Sequence, residues 1–579
     1  MMELKYSDIL KLNKELENRL PSSSYNITVL SNVIVHQIKE ILEYLLRSEV
    51  INANVRLGDY DNIVQDSKKY QNSNMVIIFW ELCNIIDGLQ YKIELINKGQ
   101  LDDILEKTKS EIDLVLNNLE KTSLVLINKF TSLSFSSLNI RKNKLDELAG
   151  QLNQYLENRV PANVRLVELA RVIANVGLDN SLDLRYYYSS KALYTIDFFK
   201  TYVEYIKPYV MSANGKSKKA LIFDCDNTLW KGILGEDGID NIEMSTITKH
   251  GAIFAEIQAI ALALNQQGVL IGLCSKNNPR DVDEVIESHI DMQIRNKHLA
   301  INKSNWSDKV SNLRAIAKEL NIGLDSLVFI DDSSFEVNLI REQLPEVTVL
   351  QVPKRLYEYP KMLRENRGLF YNLSFTAEDK KKIDMYKQQV ERETVKEKFI
   401  DIEDYLASLE LKMTIFENKE SIVPRMSQMS QKTNQFNLTT RRYTEGDIQN
   451  FINDSNSDVY AFSVSDKFGD SGITGLSIVT ANGSTEMAEI DTLLMSCRVI
   501  GRNIEYVFMD YLIGKIEEKK VNNLKAKYIK TLKNEQVKEF FDRCSFGLID
   551  EDNSVRNYTL NINNYDPKKL NYIEVIHGG

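Results

Sequence analysis

Lys219-Ala220-Leu221-Ile222-Phe223-Asp224-Cys225-Asp226-Asn227-Thr228-Leu229-Trp230 is the stretch that decides how this chain is read. An apolar run of strand length stops at two carboxylates one residue apart, and Gly232, Gly235 and Gly238 follow. Buried parallel strands are continuous apolar runs, and open α/β sheets place their chemistry at the carboxyl ends of such strands. Aspartate is a poor strand former, so the pair needs a reason. One reason is chemical: Asp224 as a nucleophile beside Asp226 as an acid and base, with a hard cation between them and a phosphate. The other is local: an Asx turn closing the strand, capped by Asp226 and Thr228.

Three further strand ends favour the chemistry. Val269 to Cys274 is an apolar run ending at Ser275, whose hydroxyl can hydrogen-bond a phosphoryl oxygen. Lys309 opens the helical pattern from Val310 to Ile316, and its ammonium suits a phosphoryl transition state. Leu327 to Ile330 runs into Asp331-Asp332, a second carboxylate pair fit for magnesium. Asp-x-Asp-x-Thr, hydroxyl, lysine and acidic pair, in that order, resemble the four motifs of the haloacid dehalogenase superfamily. The string from Phe223 to Gly238 (FDCDNTLWKGILGEDG), with Cys274-Ser275-Lys276-Asn277 and Phe329-Ile330-Asp331-Asp332-Ser333, resembles its FkbH-like branch. That resemblance implies Asp224, Asp226, Ser275 and Lys309 as catalytic residues. It implies Mg²⁺ held by Asp224, Asp226 (through its carbonyl), Asp331 and Asp332. Cys225 has two readings: a core residue, or a thiol that carries an acyl group as a thioester.

Between Leu229 and Val269 there is room for a β-hairpin flap and one helix, Ile253 to Asn265. From Asn277 to Asp308 there is one helix, Val282 to Ile290, and a strand. Neither interval fits an inserted cap domain. An open site of this kind favours a large or carrier-borne substrate.

The 579 residues suffice for three or four domains. With 43% hydrophobic and 27% charged residues, the composition is that of an ordinary globular protein. A net charge of −10 gives no support for a nucleic-acid partner. Five cysteines without metal-ligand spacing offer neither a zinc site nor a disulfide framework. The amino terminus shows no apolar signal region, and no apolar run approaches membrane-spanning length. The expectation is a cytoplasmic multidomain protein with no membrane partner.

Residues 1–212 alternate short strands (Tyr25–Leu30, Val55–Leu57, Met75–Trp80, Ser123–Ile127, Val164–Val167) with amphipathic helices, as at Leu101–Leu119. This predicts a parallel βαβ sheet. It resembles the flavodoxin-like domain of FkbH-type proteins, which is related to SGNH hydrolases, with Ser31 at the nucleophile position. A serine nucleophile needs a histidine, and only His36 lies near, so Ser31 reads as a helix N-cap and the domain as a docking or cap element.

A polar linker, 213–217, leads into the phosphatase-like domain, 218–355. Charged helical segments over 356–410, including Ala377–Glu397, lead to a third domain, 411–579. There Gly472–Val479, Met487–Met495 and Leu524–Ile529 read as strands, Ile504–Lys515 and Asn534–Arg543 as helices. Arg498-Val499-Ile500-Gly501-Arg502-Asn503 opens a helix, where backbone N–H groups suit a pyrophosphate. The loop resembles the acetyl-CoA loop of GNAT acyltransferases, with Asn503 at a position normally small. The resemblance implies CoA or carrier-borne phosphopantetheine held by Arg498, Gly501, Arg502, Asn503 and Asn534. The alternative is an ordinary helix start with solvated arginines.

The fold class expected is α/β and multidomain: a flavodoxin/SGNH-like domain, a Rossmann-like haloacid dehalogenase core without a cap, and a GNAT-like α+β domain. FkbH-like proteins are implicated in taking an acyl group from a phosphoglycerate-type acyl phosphate and passing it, dephosphorylated, to an acyl-carrier protein. The implied partners are therefore that carrier and a phosphorylated acyl donor. A plain phosphatase with a non-catalytic third domain is the rival expectation.

Overall fold

The computed structural model describes residues 1–20, 24–133, 135, 144–373, 382–396, 398–481, 487–531, 533–552 and 554–578. They form two compact units: residues 1–213 with 443–447, and residues 214–442 with 448–579.

In the first unit, β1 (Tyr25–Ser31), β2 (Ala53–Leu57), β3 (Met75–Phe79), β4 (Leu124–Asn128) and β5 (Val164–Val167) make one parallel sheet. Its order is β2-β1-β3-β4-β5. Every residue of β3 and β4 is buried, which is why these strands are apolar without alternation. The helix Ile38–Ser48 buries Ile38, Ile41, Leu42, Leu45 and Leu46, the stripe its spacing predicts. Removing each of those side chains from water stabilises the unit by roughly 2 kcal/mol. Strand order reverses between β1 and β3, and polar residues gather there. Asn32 Nδ2 donates to the Glu81 carbonyl (2.9 Å), and the Glu81 N–H donates to Asn32 Oδ1 (2.7 Å). Ser31 departs from the N-cap expected of it. It ends β1, its Oγ donating to the Val33 carbonyl (2.6 Å), whereas the following helix begins only after Gln37.

The second unit holds two sheets. In the first, β6 (Ala220–Phe223), β7 (Leu270–Ser275), β8 (Leu299–Ser304), β9 (Leu327–Asp331) and β10 (Thr348–Gln351) run parallel in the order β10-β9-β6-β7-β8. Both faces of β6 are covered. Leu221 and Phe223 pack with Phe254 and Ile257 of the helix Lys249–Gln266. Ala220 and Ile222 pack with Leu313 and Ile316 of the helix Lys309–Glu319. A strand buried on both faces must be apolar throughout, and this one is central. Between β6 and β7 lie a flap closed by a Lys231–Glu243 bridge, a turn of helix at Leu234–Asp237, and the helix Lys249–Gln266. Between β7 and β8 lie the helix Pro279–Ser288 and a 3₁₀ turn. Neither connection contains a folded cap.

The second sheet has nine strands: β11 (Leu411–Glu417), β12 (Phe436–Asn437), β13 (Ser457–Asp466), β14 (Gly469–Ala481), β15 (Met487–Met495), β16 (Asn523–Ile529), β17 (Gly547–Asp552), β18 (Val555–Asn561) and β19 (Ile573–Gly578). It is antiparallel except at β15/β16 and β11/β19. The helix Ile504–Glu518 crosses from β15 to β16. Their parallel pairing stops at Ile490 and Ala526, beyond which the strands diverge. The chain itself fills the gap. Phe436 and Asn437 pair with Met495 and Leu494, and the Ile529 N–H donates to the Leu438 carbonyl (2.8 Å). The helix expected over Asn534–Arg543 is instead a 3₁₀ turn, Glu535–Val537, and one helical turn, Phe540–Arg543. Of the helix expected at Ala377–Glu397, residues 377–381 and 397 lie outside the described residues. The rest is helical over Lys382–Lys396. No helix among the described residues is long and apolar enough to cross a membrane.

Candidate functional site

The carboxyl ends of the neighbouring strands β9, β6 and β7 lie side by side at one end of the parallel sheet. Asp224 follows β6 directly, its N–H donating to the Ile330 carbonyl (2.9 Å), so β9 fixes the backbone of the first carboxylate. Asp331 ends β9, fully buried, its Oδ1 accepting the Ser333 N–H (2.8 Å). Lys309, the first residue of its helix, places Nζ 2.7 Å from Asp331 Oδ2 and 3.0 Å from Asp224 Oδ2. The N-cap of that helix is Asp308, whose side chain accepts the Ser311 N–H.

Asp224, Asp331 and Asp332 offer carboxylate oxygens that all lie within 4.8 Å of one another. Asp224 and Asp331, both buried, share the one ammonium, and the exposed Asp332 adds a third negative charge to the group. Burial, and then the Asp224 charge, push the Asp331 carboxyl up to about 6, and the same causes raise Asp332. Burial works to lower Lys309, but the Asp224 and Asp331 carboxylates together outweigh it and hold the ammonium well above its ordinary value. A hard divalent cation would relieve that repulsion, and an all-oxygen donor set suits Mg²⁺.

Asp226 points elsewhere. Its Oδ1 accepts the Trp230 Nε1–H (3.0 Å) and the Leu234 N–H (3.1 Å), and its Oδ2 accepts from Asn277 Nδ2 (2.9 Å). The side chain is therefore not part of the three-carboxylate group; it is clamped by the flap and by the loop after β7. Ser275 is buried at the end of β7, 3.4 Å from Asn277 Nδ2. Asn227 turns the chain in the left-handed region (φ 52°), with Oδ1 accepting from Lys231 Nζ and the Gly232 N–H. Trp230, fully buried, both staples the flap and orients Asp226. The Trp230 hydrogen bond to Asp226 and the Asn277 clamp were not readable before the fold brought these partners close.

The reading of Cys225 as a thioester carrier is corrected. Its side chain is buried in the core with Phe223, Leu229 and Trp230, and burial and the Asp224 charge push the thiol well up. A buried thiol kept protonated is a poor nucleophile. Lys276 and Lys303 are ion-paired, with Glu336 (2.7 Å) and Glu319 (2.6 Å).

In the second sheet the expected phosphate loop opens a helix, but its side chains do not converge. Gly501 has φ +84° and open space at its Cβ position. Asn503, also left-handed, donates through Nδ2 to Tyr572 Oη (2.9 Å). Arg498 Nε donates to Ser496 Oγ (3.3 Å). Two expectations are corrected. The Arg502 guanidinium is buried against Asp466 (3.1 Å) and Gln389 (3.0 Å), and Asp466 also holds Arg392 (2.7 Å). Asn534 is fully buried, donating to the Asn437 and Ile529 carbonyls (both 2.9 Å) and accepting the Thr531 N–H (2.7 Å). It holds β12 in the gap and does not face a ligand.

No protein-family model and no curated protein matches the chain. Among solved structures, the chain is similar to the N-terminal part of the protein BF1531 from Bacteroides fragilis, which contains a phosphatase domain complexed with Mg. Identity is 24%, with a TM-score of 0.55, covering 64% of this chain and 100% of that one. Two shorter similarities are to the N-acetyltransferase PseH of Campylobacter jejuni in complex with acetyl coenzyme A and to the ribosomal-protein-S18-alanine N-acetyltransferase of Escherichia coli. The first is 23% identical with a TM-score of 0.16, over 20% of this chain and 74% of that one. The second is 12% identical with a TM-score of 0.21, over 26% and 94%. The expected fold class holds: the chain is a multidomain α/β protein whose larger part shares the fold of the Bacteroides fragilis phosphatase-containing protein.

Proposed function

We propose that the Asp224 site is a Mg²⁺-dependent phosphatase centre. The observation that carries this is the buried pair Asp224 and Asp331 on Lys309, with the exposed Asp332 completing a three-carboxylate group and Asp226 clamped beside it. Asp224 attacks phosphorus, Asp226 gives its proton to the leaving oxygen, and water then hydrolyses the aspartyl phosphate with Asp226 as base. Lys309 and Ser275 face the phosphoryl oxygens. When bound, Mg²⁺ held by Asp224, Asp331, Asp332 and the Asp226 carbonyl supplies charge neutralisation at the phosphate. The phosphatase domain of the similar Bacteroides fragilis protein is complexed with Mg, which supports this choice of metal.

The finer reading is an FkbH-like phosphatase and acyltransferase. It takes a glyceryl-type acyl group from an acyl phosphate resembling 1,3-bisphosphoglycerate and loads an acyl-carrier protein, in a polyketide or surface-polysaccharide pathway. The cap-free connections after β6 and β7 support a carrier-sized substrate. With Cys225 in the core, the acyl group passes directly or through another thiol. CoA or carrier-borne phosphopantetheine would meet the Arg498–Asn503 loop. A second reading, a plain Mg²⁺-dependent phosphomonoesterase, draws on one observation. Phe436–Leu438 occupies the gap between β15 and β16, so an extended ligand has no free strand edge to join there. Intact-mass analysis of a carrier protein after incubation with the enzyme, Mg²⁺ and 1,3-bisphosphoglycerate separates the two. A glyceryl adduct on the carrier supports transfer; phosphate release with an unmodified carrier leaves the phosphomonoesterase.

A further inference from the structure

Between Lys219 and Tyr359 six large apolar side chains are exposed: Ile233, Ile247, Ile290, Trp306, Phe335 and Tyr357. Single exposed apolar residues are ordinary on a protein surface, so their placement is what counts. Five of the six lie in segments that leave the carboxyl ends of strands: Ile233 and Ile247 after β6, Trp306 after β8, Phe335 after β9 and Tyr357 after β10. Ile290 lies elsewhere, beyond the helix Pro279–Ser288 on the way back to the start of β8. The exposed apolar surface of this sheet's connections is thus gathered as a rim at the end that carries Asp224.

Two members of the rim are held beside the site itself. Trp306 stands three residues before Lys309 and is 74% exposed. Its loop is fixed on both sides. The Asn305 N–H donates to the Ser275 carbonyl (3.0 Å), and the Asn305 and Asn312 amides bond each other (2.9 and 3.2 Å). Asp308 then caps the helix that begins at Lys309. Phe335 stands three residues after Asp332 and is 71% exposed. Two residues before it, the Ser333 N–H donates to Asp331 Oδ1, and next to it Glu336 pairs with Lys276 (2.7 Å). The two aromatic residues follow different strands, yet the segments that carry them are both tied to Ser275-Lys276.

A fixed loop presents its indole with little left to order on binding. Asp224, Ser275 and Lys309 meet the phosphoryl group, whatever it is attached to. Side chains at the rim meet what it is attached to. We infer that Trp306 and Phe335 form the leaving-group subsite of the Asp224 centre, selecting phosphate monoesters whose leaving group carries a flat or apolar portion beyond the ester oxygen. This rests on the phosphatase reading of Asp224. Trp306 supplies the larger face and Phe335 the smaller.

The test uses the full chain with Mg²⁺ and two alkyl esters, ethyl phosphate and 2-phenylethyl phosphate. They share a primary alkoxide leaving group and differ by the ring. Wild-type kcat/KM should favour the phenylethyl ester at least about twentyfold, as burial of a ring of that size implies. Trp306→Ala should cut this preference below about threefold, chiefly through KM. Trp306→Tyr should keep most of it, and Phe335→Ala should cut it by about threefold. Ile290→Ala, away from the site, should keep the wild-type ratio. A second readout needs no turnover. Of the three tryptophans Trp80 and Trp230 are buried, so acrylamide quenching reports on Trp306. In Asp224→Asn with Mg²⁺, the phenylethyl ester should slow that quenching at least about twofold, and the ethyl ester should not. A wild-type preference under about threefold, a preference that survives Trp306→Ala, an equal loss in Ile290→Ala, or no shielding of Trp306 would each overturn the proposal. Shielding of Trp306 with neither ester hydrolysed would strike the phosphatase reading alone. Hydrolysis of both esters without preference or shielding would strike the subsite alone.

Discussion

Lys309 sits between two buried carboxylates, and each of the three makes the others tolerable. Lys309→Met should leave Asp224 and Asp331 facing one another without a cation, at a cost of about 3–5 kcal/mol. Urea denaturation in EDTA reads this directly, and an unchanged midpoint would show that the pair is already relieved by solvent. Glu81 offers a second test in the first unit. Burial pushes its carboxyl from 4.5 up to about 7, because the charged form is penalised in the folded state. Stability from this group is therefore fully present below about pH 4.5 and is lost as pH rises through 7, by roughly 3 kcal/mol in all. Glu81→Gln should flatten that pH dependence in thermal melts between pH 5 and 8; a wild-type slope in the variant would contradict the assignment. Of the residues in these sites, Asp224, Ser275, Lys309 and Asp331 were legible because each stands where an apolar or helical pattern breaks. Cys225 was not, since the direction of a side chain just past a strand end is set by the turn that follows. Arg502 was not either, because its partner Asp466 lies 36 residues away in sequence.

Among the elements, the flap after β6 does the positioning. Trp230 ties it to Asp226 through one N–H, so Trp230→Phe should keep the packing and lose that hydrogen bond. About 1–2 kcal/mol of orientation is at stake, or roughly a tenfold fall in kcat with little change in melting temperature. Equal kcat in the variant would mean that Leu234 and Asn277 hold Asp226 alone. The parallel strands and their helices were readable from apolar runs and 3.6-residue spacing, and the flap from its glycines and short length. β12 was not readable: a two-residue strand shows no period, and its place is decided by where β15 and β16 part. That short strand is held by Asn534, so Asn534→Ala should leave the Asn437 and Ile529 carbonyls unsatisfied. The second unit should lose about 1–3 kcal/mol, with CoA affinity rising if the gap then opens. Calorimetric titration of that variant beside the wild type measures both.

At the scale of the molecule, the second unit joins two sheets of different kind around one structural continuum, with Asp224 at the carboxyl end of β6 and the apolar rim at that same end. The order of the three sheets along the chain was legible because each has its own apolar pattern. The rim was not, because its side chains come from segments far apart in sequence and gain meaning only by meeting. The central claim is the Mg²⁺-dependent attack by Asp224, and phosphate release from p-nitrophenyl phosphate tests it most directly. The wild type should turn over with Mg²⁺. Wild type in EDTA, and Asp224→Asn with Mg²⁺ and an unchanged melting temperature, should each fall by at least about a thousandfold, since the nucleophile or its charge balance is lost. Wild-type turnover in either sample would contradict the account.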